Sequence, residues 1–547
     1  MSFNTSVLGS ERLFPKNRPS SGRITALSLL DAVTVDYETV CATWLFKCPT
    51  EHDFSRSHHL RHSLRLTLDA YPQFCGRLKL ITATNSTTTL LPDGDEFPPH
   101  ARRLGRVHAI YGTSQDPGVE FILAESTTTA NELYPDSRTG VQPLWDRTNV
   151  SVSGFLPTTP VKKVHVTADT DGPFRPAVAV QMTSLTCGGF VLAVKIAHPL
   201  VDAHSLTHFV KDWASVSRAL SQRAPIPVLT PLFDPGLLDS HAAGDINSNE
   251  PDQTLIQQAE SLHLHRYDWW IESPGCPWPY EIPEPFRGQD WPPAGLPMPW
   301  SEYDSKAPVS HYLIHLNHDQ IEHLWREASR GSTERLSRHD AVLAHVWSCV
   351  NRARLLQDDP GPVHCDLSYG LRTPLMLGDA FMGSPTFMVN VEMTGKEVTA
   401  ETPAGQPATA AALGLVAQRF RQTICQSGNP DLLAAYLHTV AFETCPQRIW
   451  QGFLGRRHTM VTSWVRAGVY DVDFGWGPAR YVDAILANLD GLVLIKEAPP
   501  PTGDRMIPEP GTTTLASWTA HGVDINLHLK TEDMERLIRD PLLLREI

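Results

Sequence analysis

The segment 177–220 constrains the fold more than any other, because it predicts two strands that lead directly into a helix. Its apolar runs AVAVQMTSL and FVLAVKIA flank a Cys-Gly-Gly triplet, and such glycines suit the tight turn of a hairpin. The second run ends at His198, and beyond Asp202 the apolar residues recur at helical spacing. A hairpin followed by an amphipathic helix predicts a mixed α/β fold in which sheets pack against helices.

Length and local composition divide the chain into halves. The 547 residues exceed one ordinary core, since single cores stop growing at about 250–300 residues. Residues 221–305 are rich in Pro, Trp, Gly and Asp, which favours a long surface crossover over a domain. We therefore expect an N-terminal half at 1–220 and a C-terminal half at 306–547, both of mixed α/β structure.

The overall charge and the chain ends exclude several classes of protein. The formal net charge is −14, whereas a nucleic-acid surface needs concentrated Lys and Arg. No apolar run reaches membrane-spanning length, the N-terminal segment lacks the apolar core of a signal peptide, and the last residues match no peroxisomal address. The nine Cys include no C-x-x-C pair and are typical of reduced thiols. We expect a cytoplasmic monomer that binds no nucleic acid.

An H-x-x-x-D pattern is weak evidence by itself, and this sequence contains five. They are His165/Asp169, His198/Asp202, His208/Asp212, His241/Asp245 and His315/Asp319. Only His198 follows an apolar strand and precedes a helix, and α/β folds place reactive groups at such strand ends. Histidine is largely neutral at pH 7 and accepts a proton. His198 is therefore a candidate general base, which acyl transfer from a thioester to an alcohol requires.

The role of Asp202 stays open on this evidence. Its carboxylate can orient the imidazole, as in a catalytic triad, or it can point away and pair with an arginine that fixes the loop. The stretch also permits a metal-binding interpretation, because His198, Asp202, His204 and His208 lie close together and spacings of four residues place side chains on one helical face. Pro199 intervenes, however, and no H-E-x-x-H or C-x-x-C accompanies the stretch. We expect no metal site and no tightly bound cofactor.

A second and much rarer pattern is Asp473-Phe474-Gly475-Trp476-Gly477. Asp-Phe-Gly occurs in protein kinases, but the Gly-rich nucleotide loop and the His-Arg-Asp catalytic loop are missing from this sequence. The motif instead predicts a turn around aromatic side chains, because glycine adopts backbone conformations closed to other residues. The sequence also lacks G-x-S-x-G, Walker and G-x-G-x-x-G motifs, which leaves serine hydrolases, NTPases and dinucleotide enzymes without support.

Together, H-x-x-x-D before the middle of the chain and DFGWG near its end resemble the BAHD acyltransferase family. The similarity extends from about residue 24 to about residue 500. It includes LSLLDAV (27–33), LRHSLRLTLDAYPQFCGRL (60–78), QMTSLTCGGFVLAVKIAHPLVDA (181–203), SRHDAVLAHVWSCVNRAR (337–354) and Thr462-Ser463-Trp464. In combination these segments are specific for the family.

The resemblance implies two chloramphenicol-acetyltransferase-like domains, joined by the crossover, with a solvent channel between them. Acyl-CoA would enter as a co-substrate from one face and the acceptor from the other. His198 would deprotonate the acceptor, which attacks the thioester directly without an acyl-enzyme.

The resemblance also implies roles for other residues. Asp202 would be structural and bonded to an arginine, for which Arg372 is the candidate. Thr462 and Trp464 fall where the family places donors to the tetrahedral oxyanion, and a hydroxyl and an indole N–H both donate to developing charge. The DFGWG turn would support the channel wall.

The sequence departs from the family pattern at two places. Ala203 replaces the usual glycine after the aspartate, and Gly383-Ser384 stands for the usual Gly-Asn pair. The chain is longer than most plant members and more similar to fungal relatives such as the trichothecene acetyltransferases. This predicts transfer of an acyl group, in the first instance acetyl, to a hydroxyl of a small secondary metabolite, with an amine as the second choice. Two alternatives stay open: a condensation-like enzyme that uses a carrier-protein thioester, and a non-catalytic metabolite-binding relative.

Overall fold

The structure is a computed structural model that describes residues 3–47, 56–82, 96–136, 138, 142–161, 175–268, 270, 273–278, 282, 286–288, 295–399, 410–500 and 518–544. Its helices are α1 (Leu29–Val33), α2 (Arg56–Thr67), α3 (Ala130–Leu133), α4 (Ala203–Ser221), α5 (Pro235–Asp239), α6 (Gln253–Ala259), α7 (His318–Arg330), α8 (Arg338–Ala353), α9 (Gly395–Thr399), α10 (Ala410–Ser427), α11 (Pro430–Phe442) and α12 (Thr531–Leu537). Within these ranges, no helix combines the length and the apolar character needed to cross a membrane.

The strands are β1 (Thr5–Leu13), β2 (Arg23–Ala26), β3 (Val40–Phe46), β4 (Arg77–Leu80), β5 (Val107–Tyr111), β6 (Val119–Ser126), β7 (Leu144–Asp146), β8 (Val178–Leu185), β9 (Phe190–Ile196), β10 (Tyr267–Asp268), β11 (Val309–Leu316), β12 (Pro362–Gly370), β13 (Thr386–Thr394), β14 (Ile449–Trp450), β15 (His458–Ser463), β16 (Tyr481–Ala484), β17 (Leu492–Glu497) and β18 (Val523–Lys530). They form a six-stranded sheet, a seven-stranded sheet, a small three-stranded sheet and the β10–β14 ribbon.

The six-stranded sheet has the order β1-β6-β8-β9-β3-β16 and contains the predicted hairpin. Strands β8 and β9 pair antiparallel, with Val178 opposite Ile196. Soon after β9, the Asp202 carboxylate caps helix α4 by accepting a hydrogen bond from the Ser205 backbone N–H. The apolar face of α4, which includes the fully buried Trp213, packs into the core beside β9. The hairpin and the helix together fix the position of the turn that carries His198.

The seven-stranded sheet has the order β13-β12-β15-β17-β18-β11-β7. Helix α8 covers one face of it, and a capping box between Ser337 and Asp340 starts this helix. The buried Val342, Val346 and Val461 belong to the same apolar cluster, so the helices and one side of the sheet share a core. The other face of this sheet lines the region between the two halves.

Each half donates one strand to the sheet of the other. Strand β16, from the C-terminal half, pairs with β3, and strand β7, from the N-terminal half, pairs with β11. An ion pair of 2.7 Å between the buried Arg147 and Asp483 joins the segments that carry these two strands. The predicted α/β class with two sheet-rich domains is confirmed, whereas this exchange was not anticipated from the sequence.

The segment 221–305 is more ordered than its composition indicates. Its described part contains α5, α6 and β10. Leu238 and Trp300 are buried, the first in the core of the C-terminal half and the second in a smaller cluster with Phe453. The crossover therefore packs against the C-terminal sheet instead of lying wholly on the surface. The boundaries given for the two halves stay a prediction.

Candidate active site

His198 lies in the short 3-10 turn His198–Leu200 between β9 and α4, and its side chain is half-buried. Its Nδ1 atom is 3.0 Å from Oγ of Ser384, a residue of the C-terminal half. The contact joins the two halves at the imidazole. Because a hydroxyl can donate or accept, the tautomer of His198 decides the direction of this hydrogen bond.

Ser384 is held from behind by Asp31 in helix α1. The Ser384 backbone N–H donates to the Asp31 carboxylate at 2.6 Å, and the Ser28 N–H donates to its other oxygen at 3.0 Å. Burial raises the pKa of Asp31 to about 7, although these hydrogen bonds act in the opposite direction. The LSLLDAV segment thus supports the residue that contacts His198, a link that the sequence did not reveal.

Asp202 points away from His198 and towards Arg372. Arg372 makes a two-pronged ion pair with its carboxylate, including an Nη2–Oδ1 distance of 3.0 Å. Burial alone would raise the pKa of Asp202, but the charge and hydrogen bonds of Arg372 hold it below the ordinary value. The sequence left two roles open for Asp202, orienting the imidazole or pairing with an arginine. The geometry of its carboxylate is that of pairing with an arginine. The predicted partner, Arg372, is present.

Arg372 also fixes the loop that leads to Ser384. The same guanidinium donates to the backbone carbonyls of Phe381, at 3.1 Å, and Gly383, at 3.5 Å. The Asp202 backbone N–H in turn donates to the Gly383 carbonyl at 3.0 Å. Asp202 and Arg372 therefore form a structural link from the turn after His198 to the loop that holds Ser384.

Two aromatic side chains beside His198 were missed by the sequence analysis. Tyr37 presents its ring edge-on to the imidazole at a centroid distance of 5.3 Å, and it meets Trp450 at the same distance. Both side chains are partly exposed. Burial raises the pKa of the Tyr37 hydroxyl above its usual range. Neither residue belongs to a recognisable motif, so no sequence signal marked them.

Thr462 and Trp464 lie at the end of β15. Strand side chains alternate between faces, so Thr462 shares a face with Met460, whereas Ser463 points to the other side and bonds His339 at 2.9 Å. Met460 packs in one cluster with Trp450, the ring that contacts Tyr37. Among the described residues, the side-chain donors of Thr462 and Trp464 have no hydrogen-bond partner. This face of β15 is thus continuous with the aromatic surroundings of His198.

The DFGWG segment is a tight turn. The Asp473 carboxylate accepts hydrogen bonds from the backbone N–H groups of Gly475, at 2.8 Å, and Gly477, at 2.9 Å. Both glycines have positive φ, +101° and +93°, which other residues rarely adopt. The structural interpretation of this motif therefore agrees with its geometry.

The two aromatic residues of this turn contact the elements on either side of His198. Phe474 is fully buried, and its ring meets Trp213 of α4 edge-on at 5.0 Å. Trp476 meets Phe190, at the start of β9, at a centroid distance of 5.7 Å. The turn thus braces both the strand that leads to His198 and the helix that follows it.

The metal-binding interpretation of the segment after His198 finds no geometric support. Asp202 is bonded to Arg372. The Nε2 atom of His204 is 3.1 Å from the carbonyl of Asp379, and that of His208 is 3.7 Å from the Asp212 carboxylate. The side chains therefore turn to different partners and do not converge on one point.

The sequence is similar to a known protein family and to named fungal proteins over most of its length. The chain matches the model of the Transferase family over residues 4–90, 95–266 and 298–539. Acyltransferase AFT15-1 of Alternaria alternata is 25% identical over 519 residues, covering 91% of this chain and 90% of the relative. Acyltransferase abl6 of Leptosphaeria maculans is 24% identical and covers 98% of both chains.

Solved structures share the fold at low sequence identity. Vinorine synthase has a TM-score of 0.59 at 16% identity, covering 97% of this chain and 96% of its own. TRI101 of F. graminearum, solved with coenzyme A and deoxynivalenol, has a TM-score of 0.61 at 15% identity, covering 95% and 98% of the two chains.

The two sheet-rich α/β domains are the architecture that this chain shares with these solved structures. The match over most of the length shows that this chain belongs to the Transferase family, the BAHD acyltransferases. The predicted family and the predicted acyl-transfer activity are thereby confirmed.

Proposed function

We propose that this protein transfers an acyl group, in the first instance acetyl, from coenzyme A to a hydroxyl of a small secondary metabolite, with His198 as general base. One observation carries the proposal: the His198 ring is half-buried where the two halves meet, with Nδ1 held by Ser384 at 3.0 Å. A ring oriented in this way, and largely neutral at pH 7, is suited to accept a proton.

The reaction we infer has one attack step. With Nδ1 engaged by Ser384, Nε2 of His198 takes the proton of the acceptor hydroxyl, and the acceptor oxygen bonds to the thioester carbonyl carbon. The tetrahedral intermediate then collapses, its C–S bond breaks, and the imidazolium returns the proton to the coenzyme A thiolate. No bond forms between the acyl group and the protein, so no nucleophilic side chain is needed.

Thr462 and Trp464 are our candidates for donors to the oxyanion. Their O–H and indole N–H have no partner among the described residues and are therefore available to a ligand. Such donors stabilise the developing charge by about 2–4 kcal/mol each when they are fixed in advance. Asp202 and Arg372 act as positioning residues in this proposal and exchange no proton with the substrate.

The choice of coenzyme A and of a small acceptor has support from the relatives. The fungal proteins AFT15-1 and abl6 are named acyltransferases. The fold is shared with TRI101 of F. graminearum, which was solved with coenzyme A and either T-2 mycotoxin or deoxynivalenol. A cytoplasmic monomer stays our expectation from the sequence.

The test is release of free thiol from acetyl-CoA by the full-length protein in the presence of hydroxylated metabolites. We expect His198→Ala to lower the rate by about 10²–10⁴-fold, the usual contribution of a general base. His208→Ala is the matched control, since His208 is also a partly buried histidine near this region, but its Nε2 faces the Asp212 carboxylate at 3.7 Å. Retained activity in a folded His198→Ala protein would reject the assignment of the base.

Two further assays distinguish the proposed function from its two alternatives, a condensation-like enzyme and a non-catalytic relative. Transfer from an acyl group on a phosphopantetheine carrier protein, with none from acetyl-CoA, would favour a condensation-like enzyme. Binding of metabolites without thiol release from either donor would favour a non-catalytic relative. Amines in the acceptor mixture distinguish N-acylation from O-acylation.

A further inference from the structure

A second cluster of polar side chains lies between the crossover and the C-terminal sheet, and it uses none of the residues assigned above. His265 of the crossover, Asp366 of β12 and His458 of β15 each bring one ligand-type atom to a common point, all within 4.8 Å of one another. Asp366 is fully buried and His458 is 6% exposed. Two imidazole nitrogens and a carboxylate are a common zinc ligand set in proteins.

One of the two imidazoles is hydrogen-bonded to the carboxylate, and the other lies at a separation that suits two ligands of one ion. Nδ1 of His265 is 2.9 Å from Oδ1 of Asp366, and Nδ1 of His458 is 3.8 Å from Oδ2. The second distance is too long for a hydrogen bond. It is near the separation of about 3.4 Å expected for two ligands on one tetrahedral zinc ion with bonds of about 2.0–2.1 Å. The Nδ1 atom of His458 is buried and has no hydrogen-bond partner among the described residues.

The carboxylate is oriented from behind, as metal ligands usually are. Asn390 donates to Oδ1 of Asp366 at 2.9 Å, and the backbone N–H of Phe453 donates to Oδ2 at 2.9 Å. Asn390 is itself in contact with Nδ1 of His364 at 3.2 Å, which fixes the direction of its amide. Supporting hydrogen bonds of this kind hold a ligand in place before the ion binds.

The buried charge of Asp366 also needs a counter-charge. In the described part of the chain its ion pairs are with His265 and His458, and none is with a lysine or an arginine. A carboxylate that is fully removed from water is stable only when it is paired or bound to a metal. A divalent ion would compensate this negative charge and give the Nδ1 atom of His458 a partner at the same time.

We propose that His265, Asp366 and His458 bind one Zn²⁺ ion that cross-links the segments carrying them, with a water molecule as its fourth ligand. The ion joins three separate segments: the crossover, β12 and β15. Strand β10, which begins two residues after His265, pairs with β14 and thereby with Trp450. His458 begins the strand that ends next to Trp464. The ion therefore fastens the crossover to the strand carrying the candidate oxyanion donors.

The experiment uses the full-length protein purified without a polyhistidine tag. We expect elemental analysis to find about one zinc ion per chain. Removal of the ion with a chelator should lower the melting temperature by roughly 5 °C, reversibly on adding Zn²⁺. Replacement by Co²⁺ should give the visible absorption bands of a tetrahedral site. A protein that holds no zinc after incubation with Zn²⁺, and melts at the same temperature with chelator, would overturn the proposal.

Substitutions of the proposed ligands test where the zinc ion binds. His265→Gln changes a ligand at the partly exposed rim, and His458→Gln changes a buried one; both should lose the zinc. His311→Gln is the matched control, because His311 is also partly buried and stacked on another histidine, His528, at 4.1 Å, but lies outside the cluster. Zinc retained by both ligand variants would place the ion elsewhere and refute the assignment. Because the metal content of the wild-type protein is measured first, the proposal can be rejected even when a variant fails to fold.

Discussion

Ser384 and His198 face each other across the junction of the two halves, with Oγ 3.0 Å from Nδ1. Serine stands where the family usually has asparagine, so a hydroxyl replaces an amide at this contact. When Nδ1 carries the proton and donates to Oγ, Nε2 presents a lone pair to the acceptor. When the hydroxyl donates instead, Nε2 carries the proton and cannot act as a base. The proposed mechanism therefore requires the Ser384 hydroxyl to accept this hydrogen bond.

Ser384→Ala removes the acceptor that favours the productive tautomer of His198. A hydrogen bond of about 1 kcal/mol corresponds to a rate change of about fivefold to tenfold. We expect kcat to fall by that factor with little change in KM, measured by thiol release. Ser384→Asn should retain activity, because the amide oxygen can only accept. Equal kcat in wild type and Ser384→Ala would show that the contact does not control the tautomer.

Asp31 should make stability depend on pH. Burial raises its pKa to about 7, so between about pH 4 and pH 7 the folded protein binds a proton that the unfolded chain has lost. From this group, stability is greatest below about pH 4 and falls by about 1.4 kcal/mol per pH unit until the folded pKa is reached. Asp31→Asn cannot titrate, so urea unfolding of both proteins at several pH values isolates the effect. The stability of wild type relative to the variant should decrease from pH 4 to pH 7 and then level off. A constant difference across that window would contradict the raised pKa.

Asp202 and Arg372 should show strong coupling in stability. Removing one partner leaves the other charge buried and unpaired, which costs about 3–5 kcal/mol. We expect Arg372→Met and Asp202→Asn each to lower both stability and activity, and the double variant to be less destabilised than the sum of the two. Chemical denaturation measures this coupling. Additive effects, or normal melting of Asp202→Asn with lost activity, would favour a direct catalytic role for Asp202.

Gly475 should tolerate no side chain. A Cβ at this position would overlap Oγ of Ser221 in α4, and its φ of +101° is unfavourable for alanine. Gly477 has a similar φ, +93°, but open space around it. We expect Gly475→Ala to cost about 1–3 kcal/mol more than Gly477→Ala, with partial rescue by Ser221→Ala. Thermal unfolding compares the variants; equal losses would mean that backbone strain alone matters.

The sequence predicted those parts of the structure that local periodicity determines. The hairpin and helix α4 follow from the apolar runs and from helical spacing, which depend on near neighbours. Strand β7, with three residues, is too short to show a period, and its pairing with β11 depends on the assembled halves. Its position could not be derived from local pattern.

The residues of the candidate site also divide into those that the sequence predicted and those that it did not. His198 was found because it follows an apolar strand and precedes a helix, and Arg372 came from the family resemblance. Tyr37 contacts the imidazole and Trp450 contacts Tyr37, although the two residues are far apart in the chain and no spacing rule connects them. Asp31 was part of a recognised segment, but its contact with Ser384 spans 353 residues. Contacts of this range depend on tertiary packing.

The exchange of β7 and β16 determines how the halves can move. Each strand is hydrogen-bonded into the opposite sheet, so a clamshell opening would break two ladders at once. Under the proposed mechanism, substrates would therefore reach His198 along the interface while the halves remain closed. For the same reason, a protease cut between residues 221 and 305 would leave two fragments that each complete the other, and fragment complementation should restore the enzyme.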